Sequence, residues 1–407
     1  MVALGPGFSP KHSEYAHELS STVSAMSFPF SRRTGMERTT NVLAAAKARV
    51  LDTGTPLLDL TASNPTTAGF AYPLGEIQSA MATAPVGYTP QPFGLSSARE
   101  AVATRLGATA DSVVLAASTS ELYGWLFKLL CDPGDAILAP VPSYPLFEQL
   151  ATFEGIELQP YPLVYEGRWR VDLPALRAAV TPRTRGILVV NPNNPTGHGL
   201  DRETAETLTA LKLPVISDEV FADYPLEPAT DTLSARALTD VLTFTLGGLS
   251  KRCGMPQMKV GWAVVSGPED VSREALARLE LVADTWLSLS TPVQHALPTL
   301  LDIGDAVRQD IMVRLHANLA CLRRATKGTA IDALRVEGGW YAVLAVPRIC
   351  SDETWVLRLL EADGVWVQPG WFYDFPETGH LVVSLLTAPD VFAAGVARLV
   401  ARISPSP

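Results

Sequence analysis

The sequence predicts an α/β fold with a large domain, in which helices cover a mostly parallel sheet, and a smaller α+β domain. Between about residues 95 and 265, short apolar runs alternate with amphipathic helical stretches, as expected for strands that are buried on both faces. The last hundred residues carry longer helical stretches around two strand candidates. A chain of 407 residues has room for two or three such units.

The elements are predicted in the following order. Residues 1–35 are rich in Ser, Gly and Pro with little periodicity, which indicates an extended arm. A helix at about 40–51 and a short strand at 56–61 follow. Apolar runs predict strands at 112–118, 136–141, 185–191, 213–219, 241–247 and 260–266, with helices at 121–130 and 202–211. The C-terminal part is predicted to hold helices at about 303–327, 351–363 and 388–403, and strands at 340–347 and 380–386.

The composition excludes several classes of partner. The net charge is −10, whereas a nucleic-acid or anionic-membrane partner selects for a basic face. No run of 18 or more apolar residues could span a membrane, and the N-terminus lacks the pattern of a signal peptide. The four cysteines lie far apart, which fits a reducing compartment and argues against structural zinc. We therefore expect a soluble, cytoplasmic protein with a small-molecule substrate and no metal.

One lysine follows the predicted strand at 241–247, in the sequence Gly248-Leu249-Ser250-Lys251. Because an unpaired charge is costly at the end of a buried strand, burial there favours the neutral amine, which can condense with a carbonyl. A surface lysine is the more common use of this residue type. The position of Lys251 alone therefore does not assign its role.

Two other strand ends carry polar side chains. Asp218 ends the strand at 213–219, where a carboxylate can cap a helix or pair with the protonated ring nitrogen of a cofactor. The segment Asn191–Gly197, with the sequence NPNNPTG, follows the strand at 185–191. Asn, Pro and Gly form turns, but two Asn-Pro steps ending in Thr-Gly make a rarer string than a turn requires.

A fourth group lies between a predicted strand and an amphipathic helix, in the sequence Ser118-Thr119-Ser120-Glu121. Ser-x-x-Glu is a capping box, which marks the start of a helix. The same helix N-terminus, with its hydroxyls and free N–H groups, is also suited to bind a phosphate. The two interpretations are compatible.

Taken together, the motifs resemble the fold-type I enzymes that use pyridoxal 5′-phosphate (PLP), in the class I/II branch of the aspartate aminotransferase superfamily. The resemblance covers roughly residues 40–405 in the order and spacing of that family. No single motif identifies the family, but the motifs together are highly specific. The matching segments are Tyr88, Ser118-Thr119-Ser120, PSYPLF at 142–147, NPNNPTG at 191–197, SDEVF at 217–221, GLSKRCGMPQMKVGW at 248–262 and EGGWYAV at 337–343.

The resemblance implies PLP as cofactor and a role for each matching residue around its ring. Lys251 would hold PLP as a Schiff base and later move a proton between the substrate Cα and the cofactor. Asp218 would pair with the pyridine nitrogen, and Asn194 would donate to the phenolic oxygen. Tyr144 would stack on the ring, with Phe221 and Ser250 beside it.

The resemblance also implies how the phosphate, the second subunit and the substrate are bound. Residues expected at the phosphate are Ser118, Thr119, Ser120 and Lys259, with Tyr88 reaching the phosphate of the neighbouring subunit in a homodimer with shared active sites. Residues expected at the substrate are Ser63, Asn64 and Trp340. The implied domains are an arm at 1–35, small-domain parts at 36–84 and 301–407, and a large PLP-binding domain at 85–300.

Three departures from the family pattern concern the cofactor. The family usually has a tyrosine at the position of Phe221, where it donates to the phenolic oxygen. Gly248 replaces a serine, and Lys259 replaces an arginine. Lysine can neutralise a phosphate but lacks the bidentate geometry of a guanidinium.

A fourth departure concerns the substrate. The C-terminal strand of the family carries an arginine that binds the substrate α-carboxylate, and Val382 occupies that position here. No Arg or Lys occurs between Arg358 and Arg398, so a shifted alignment does not restore the contact. Either the carboxylate is bound elsewhere, with Asn64, Arg32, Arg33 and Lys259 as candidates, or the substrate is not a simple α-amino acid.

The leading hypothesis is a PLP-dependent aminotransferase that acts on an amino acid or amine at an atypical carboxylate site. The alternative is a lyase, cyclase or carbon–carbon bond-forming enzyme on the same scaffold, since all of these need the same lysine and ring-nitrogen partner. A non-catalytic binding protein is disfavoured because binding alone would not require Lys251, Asp218 and Asn194 together. The sequence lacks the glycine motifs of nicotinamide dehydrogenases and P-loop enzymes.

Overall fold

The computed structural model describes residues 30–35, 41–227, 231–287 and 289–404. The expected arm therefore lies mostly outside the described residues, as do residues 36–40. The α-helices of the described ranges are α1 Val42–Asp52, α2 Leu74–Ala82, α3 Ser96–Leu106, α4 Thr119–Leu130, α5 Leu146–Glu154, α6 Leu173–Ala178, α7 Arg202–Leu211, α8 Leu249–Arg252, α9 Glu269–Trp286, α10 Thr291–Thr326, α11 Asp352–Asp363 and α12 Pro389–Ile403.

The strands form one large and two small sheets. They are β1 Leu58–Asp59, β2 Val113–Ala116, β3 Ala136–Val141, β4 Glu157–Tyr165, β5 Trp169–Val171, β6 Thr184–Val190, β7 Val215–Asp218, β8 Thr243–Gly248, β9 Gly261–Ser266, β10 Asp332–Ala333, β11 Tyr341–Ala345, β12 Val365–Trp366, β13 Gln368–Pro369 and β14 His380–Ser384. The large sheet has the order β2-β9-β8-β7-β6-β3-β4-β5.

The large sheet confirms the predicted α/β architecture. Its central strands β8, β7, β6, β3 and β4 are parallel, whereas β9 runs antiparallel to both of its neighbours and β5 runs antiparallel to β4. Consecutive residues of β6 alternate between two hydrophobic cores, one on each face: Ile187 belongs to one and Leu188 to the other. Both faces are covered, which explains why the strands are continuously apolar.

A four-stranded antiparallel sheet with the order β10-β11-β14-β13 forms the C-terminal unit. The segment before the large sheet reaches this unit, because β1 pairs in parallel with β12, Leu58 opposite Val365. The Ser384 hydroxyl of β14 also donates to the carbonyl of Ala62. These contacts place the residues that follow β1 beside the C-terminal sheet.

The structure differs from the sequence-based prediction in several elements. The strand predicted at 56–61 is only the two-residue β1, and β4, β5 and α9 were not predicted. Pro160 and Pro162 lie within β4 and masked its strand pattern. The helix predicted from about 303 begins at Thr291, because Pro298 lies inside α10 without ending it.

None of the helices in the described ranges combines the length and the apolar character needed to cross a bilayer. The same ranges contain no group of three or more His, Cys, Asp and Glu side chains placed to hold a metal ion.

Candidate active site

Lys251 lies in α8, directly after β8, at the carboxyl edge of the large sheet. The end of β8, which leads to Lys251, has room only for small residues: a Cβ on Gly247 would lie 2.4 Å from the Trp262 indole nitrogen. The Tyr224 hydroxyl donates to the backbone oxygen of Lys251 at 2.6 Å. The short helix is therefore fixed on both sides, and the lysine side chain starts from a well-defined backbone position.

The amine of Lys251 lies among aromatic rings. Its Nζ is 5.1 Å from the ring centroid of Trp340 and 5.9 Å from that of Phe221. Burial lowers the pKa of Lys251, while the nearby Asp218 carboxylate acts in the opposite direction. A lowered pKa increases the fraction of neutral amine, which is the nucleophile that condenses with a carbonyl.

Asp218 is the last residue of β7, and only 7% of it is exposed. The Val220 N–H donates to its Oδ1 at 3.1 Å, and the Tyr123 hydroxyl donates to its Oδ2 at 2.9 Å. Burial raises the pKa of Asp218, whereas these two hydrogen bonds and the charge of Lys251 lower it. Tyr123 was not predicted as a site residue, since in the sequence it is one more large side chain on the buried face of α4.

Asn194 lies in the loop after β6 and is buried. Its side-chain oxygen has no hydrogen-bond partner among the described residues. The neighbouring Asn193, in contrast, accepts from the Ser143 hydroxyl at 2.9 Å and donates to Pro142 and Thr196. Because buried polar atoms are normally paired, the unpaired Asn194 oxygen indicates that this amide is available to a ligand.

The N-terminus of α4 is the expected phosphate end. The capping interaction is present: Ser118 Oγ accepts from the Glu121 N–H at 3.1 Å, and the Glu121 carboxylate accepts from the Ala117 N–H at 2.7 Å. The hydroxyls of Thr119 and Ser120 make no hydrogen bond within the described ranges, so they can serve a ligand. A Cβ on Gly261 would lie 2.7 Å from the Ser118 carbonyl carbon, which leaves room only for glycine.

Three predicted cofactor residues lie around this end without a contact that defines their role. Lys259 is exposed, with a left-handed backbone (φ 52°), two residues before Gly261. Ser250 lies beside Lys251 in α8 and is half-buried. Tyr88 is 64% exposed.

The predicted substrate residues fall into two groups. Ser63 makes a hydrogen bond with Tyr341, and Trp340 is fully buried between Phe221 and Tyr224, 5.3 Å from each ring centroid. Asn64 is exposed, and its side-chain oxygen accepts from the backbone N–H and the hydroxyl of Thr66.

Two further tyrosines extend the site beyond Lys251. Burial and the nearby Asp218 carboxylate raise the pKa of Tyr144 to about 12. Burial and the proximity of Tyr144 also raise the pKa values of Tyr341 and Tyr373. The rings of Tyr341 and Tyr373 lie 6.5 Å apart, and Tyr144 is close enough to influence both. Neither Tyr341 nor Tyr373 was assigned from the sequence, although Tyr341 lies in the segment EGGWYAV directly after Trp340; Tyr373 lies in none of the segments that carry the resemblance.

Comparison with known proteins agrees with this geometry. Residues 55–394 match the family model described as aminotransferase class I and II. The fold and the site thus define a PLP-dependent transferase. The chain belongs to the class I and II aminotransferase family.

Several relatives and solved structures that this chain is similar to are aminotransferases. The glutamate-pyruvate aminotransferase AlaA of Escherichia coli K12 is 31% identical over 370 residues, covering 86% of this chain and 91% of the relative. An alanine aminotransferase of Mycobacterium bovis is 28% identical, covering 86% of each chain. The structure of an alanine aminotransferase from Pyrococcus furiosus has a TM-score of 0.80 at 25% identity, covering 89% of this chain and 95% of that one. These findings support amino-group transfer and give no support to the lyase, cyclase or carbon–carbon bond-forming alternative.

The residues present fit PLP. The side-chain nitrogen of Asn194 can donate to a phenolic oxygen, and the carboxylate of Asp218 can accept from a protonated ring nitrogen. The uncovered hydroxyls at the N-terminus of α4 suit a phosphate. Lys251 supplies a buried amine between them. Together these groups match the cofactor that the family uses.

Proposed function

We propose that Lys251 is the residue through which this aminotransferase binds PLP as a Schiff base and moves the proton during amino-group transfer. The observation that carries the proposal is the joint position of Lys251 and Asp218. Both are buried at the carboxyl edge of the sheet, and each shifts the other's pKa. When bound, PLP supplies an electron sink that stabilises negative charge at the substrate Cα.

The surrounding residues have distinct tasks in this proposal. Asp218 holds a proton on the ring nitrogen, and the hydrogen bond from Tyr123 fixes its orientation. Asn194 binds the phenolic oxygen, and Tyr144 packs on the ring. Thr119, Ser120 and the backbone of α4 bind the phosphate, together with Ser118, Ser250 and Lys259. The aromatic rings of Trp340 and Phe221 exclude water from the amine of Lys251.

We further propose a homodimer with shared active sites, in which Tyr88 contacts the phosphate bound by the partner. Exposed apolar side chains support this assembly: besides Tyr88, the large groups exposed on the chain include Val86, Trp286 and Leu287. The pairing of β1 with β12 supports a small domain made from residues 36–84 and 301–407, with residues 85–300 as the large domain. Four free thiols support a cytoplasmic location.

The test of this function follows the cofactor through one half of the reaction. Wild-type protein loaded with PLP is mixed with a panel of amines and amino acids, and the visible spectrum is recorded together with the keto product. We expect at least one donor to convert the lysine-bound cofactor to pyridoxamine phosphate with one equivalent of keto product. The Lys251→Ala variant should not convert, whereas Lys327→Ala, at an exposed lysine outside the site, should behave like wild type. If none of the amines or amino acids in the panel converts the cofactor of the wild-type protein, the proposal is contradicted.

A further inference from the structure

The far end of the site is formed by one face of the C-terminal sheet. Opposed residues of an antiparallel sheet lie on the same face, so the register places Tyr341 with Ser384 and Val382 with Gln368. These pairs alternate with residues of the opposite face, so all four share one side of the sheet. The Tyr341 ring lies 6.3 Å from Phe221, which itself faces the amine of Lys251. This face is therefore turned toward the reacting centre.

The polar groups on this face are neutral. The Tyr373 hydroxyl donates to the Gln368 side-chain oxygen, and Tyr341 shares a hydrogen bond with Ser63. Val382 and the opposing Val343 add only apolar surface. Hydroxyls and an amide recognise other hydroxyls and carbonyls, but they do not neutralise a charge.

The pKa shifts of Tyr341 and Tyr373 show no sign of a cation beside their hydroxyls among the described residues. Burial and neighbouring phenols raise the pKa values of Tyr341 and Tyr373, and no cation among the described residues lowers either. A guanidinium near these hydroxyls would act in the opposite direction. Arg33 instead donates to the Phe153 carbonyl, and Arg314 lies on the Phe70 ring, 3.7 Å from its centroid. Arg32 is exposed, as is Lys259.

The charged groups that lie at the site disfavour binding of a substrate carboxylate in addition to the Asp218 carboxylate. Within the described ranges these are Lys251, whose amine the cofactor occupies, and Asp218, which is negative when it holds the ring nitrogen. A carboxylate placed against Val382 would lose its hydration without gaining a cation from the residues that the structure describes. A neutral hydroxyl or carbonyl at the same place keeps its hydrogen bonds through the tyrosines and Gln368.

We propose that this aminotransferase acts on an amino compound whose Cα carries a hydroxymethyl group or an uncharged carbonyl group rather than a carboxylate. The proposal rests on the function proposed above and assigns the selectivity to Val382, Tyr341, Tyr373 and Gln368. The substrates named for the relatives, such as glutamate and alanine, carry a carboxylate at that carbon. The difference is therefore a change of substrate class on a shared scaffold.

Two small amines test this proposal as a matched pair. 2-Amino-2-methylpropanol and 2-amino-2-methylpropanoate differ only in bearing a hydroxymethyl or a carboxylate on Cα. Neither has a proton on Cα, so transfer that begins with loss of that proton cannot proceed, and an assay for CO2 checks that the amino acid is not decarboxylated. The amine of either compound forms a C=N bond to the cofactor, and the C=N bond between the cofactor and Lys251 breaks. The proton lost by the incoming amine returns to Lys251, which becomes a free amine, so no oxidant is needed. The change in the cofactor spectrum with concentration gives the dissociation constant.

We expect wild-type enzyme to bind the amino alcohol at least about tenfold more tightly than the amino acid. The Tyr341→Phe variant, which keeps the ring and removes the hydroxyl, should weaken the amino alcohol and leave the amino acid nearly unchanged. If the Val382→Arg variant folds, it should bind the amino acid more tightly than the amino alcohol. The ratio of the two dissociation constants in the wild-type enzyme tests the proposal even without this variant. Equal binding, tighter binding of the amino acid, or no response to the amino alcohol would overturn the proposal.

The two proposals fail in different ways. If wild-type protein forms no lysine-bound cofactor at all, the function proposed for Lys251 is wrong. If that cofactor forms and reacts with amino acids but prefers the carboxylate of the matched pair, only the proposed substrate class is wrong.

Discussion

Phe221 and Trp340 surround the amine of Lys251 with apolar rings, and Asp218 is the nearby carboxylate. Burial lowers the pKa of the Lys251 amine and so favours its neutral, reactive form, whereas the Asp218 carboxylate acts in the opposite direction. Phe221 offers no hydrogen-bond donor, although it lies where a donor to the cofactor's phenolic oxygen is expected. We therefore expect the residue at 221 to influence the protonation of a cofactor bound to Lys251.

Replacing Phe221 by tyrosine should lower the pKa of the lysine-bound cofactor. The phenolic oxygen is most negative when the Schiff base is unprotonated, so a new donor stabilises that form and favours loss of the proton. A spectrophotometric pH titration of the two proteins measures the difference, and wild type should titrate at higher pH. Coincident titration curves would show that position 221 has no such effect.

The Tyr123→Phe variant should release PLP more readily than wild type. The variant loses the hydroxyl that donates to Asp218 Oδ2, so the carboxylate is held by Val220 alone and orients less firmly toward the ring nitrogen. We expect roughly three- to tenfold weaker retention, the equivalent of about 1 kcal/mol for one hydrogen bond. Dialysis against buffer with cofactor absorbance as the readout measures it.

Tyr161→Phe is the matched control for this loss. Tyr161 is also buried, and its hydroxyl donates to the Leu188 carbonyl at 2.8 Å, within the core of the sheet. Both variants should lose similar stability, but only Tyr123→Phe should change PLP retention. Equal retention in the two variants would assign Tyr123 a purely structural role.

At the scale of elements, the position of α8 depends on close packing against α10. A Cβ on Gly304 would lie 2.2 Å from the Cys253 sulfur and 2.4 Å from its Cβ. Cys253 directly follows α8, which carries Lys251. The absence of a side chain at 304 therefore sets how closely the long helix approaches the lysine-bearing turn.

Gly304→Ala should destabilise the protein by about 1–3 kcal/mol, as overpacking of a tight core does, and should weaken PLP retention. Urea denaturation and cofactor absorbance measure the two effects. Gly75→Ala in α2 serves as the control, because a Cβ there meets nothing within 4 Å. That substitution should be neutral or stabilise the helix by up to about 1 kcal/mol. If the two alanine variants are equally stable, the contact with Cys253 does not constrain α10.

The elements that the sequence predicted are those with a single clear signal. The helix α7 is correct at both ends because an aspartate caps its start and its apolar face is regular. Prolines obscured β4 and the first part of α10, since in isolation they argue against strand and helix interiors. Whether a strand or helix can accommodate a proline depends on where that residue lies in the folded sheet or helix, and the sequence alone does not show this.

For the whole molecule, buried titratable groups determine how stability depends on pH. Burial lowers the pKa of His198 to about 4 from its ordinary value of 6.5. Above pH 6.5 the ring is neutral in both the folded and the unfolded states. As the pH falls below 6.5, the unfolded chain binds a proton that the folded protein excludes until about pH 4, so stability decreases over this window.

This histidine should cost the wild type about 2 kcal/mol of unfolding free energy between pH 7 and pH 5. Urea denaturation at the two pH values measures the loss, and His198→Gln should remove that part of the pH dependence. The exposed His316 on α10 provides a control, because His316→Gln should retain the wild-type loss. An unchanged pH dependence in His198→Gln would show that another group is responsible.

The positions of Lys251, Asp218 and Asn194 could be singled out from the sequence, because each lies at or just after a strand end in a recognisable short segment, and their roles toward the cofactor stay predictions. Lys251, Asp218 and Asn194 come together since the carboxyl ends of neighbouring parallel strands meet at one edge. The substrate end could not be predicted in the same way. Tyr341, Tyr373 and Gln368 become neighbours only through the register of a separate sheet, which local patterns do not determine.

The central claim is that Lys251 holds the cofactor, and chemical trapping tests it most directly. Wild-type enzyme with PLP is reduced with borohydride and digested, and mass spectrometry locates the modified lysine. We predict one pyridoxyl-modified peptide, carrying the modification on Lys251, and none in a Lys251→Arg variant treated in parallel. Modification of a different lysine, or an unmodified Lys251 after reduction of the loaded enzyme, would contradict the account.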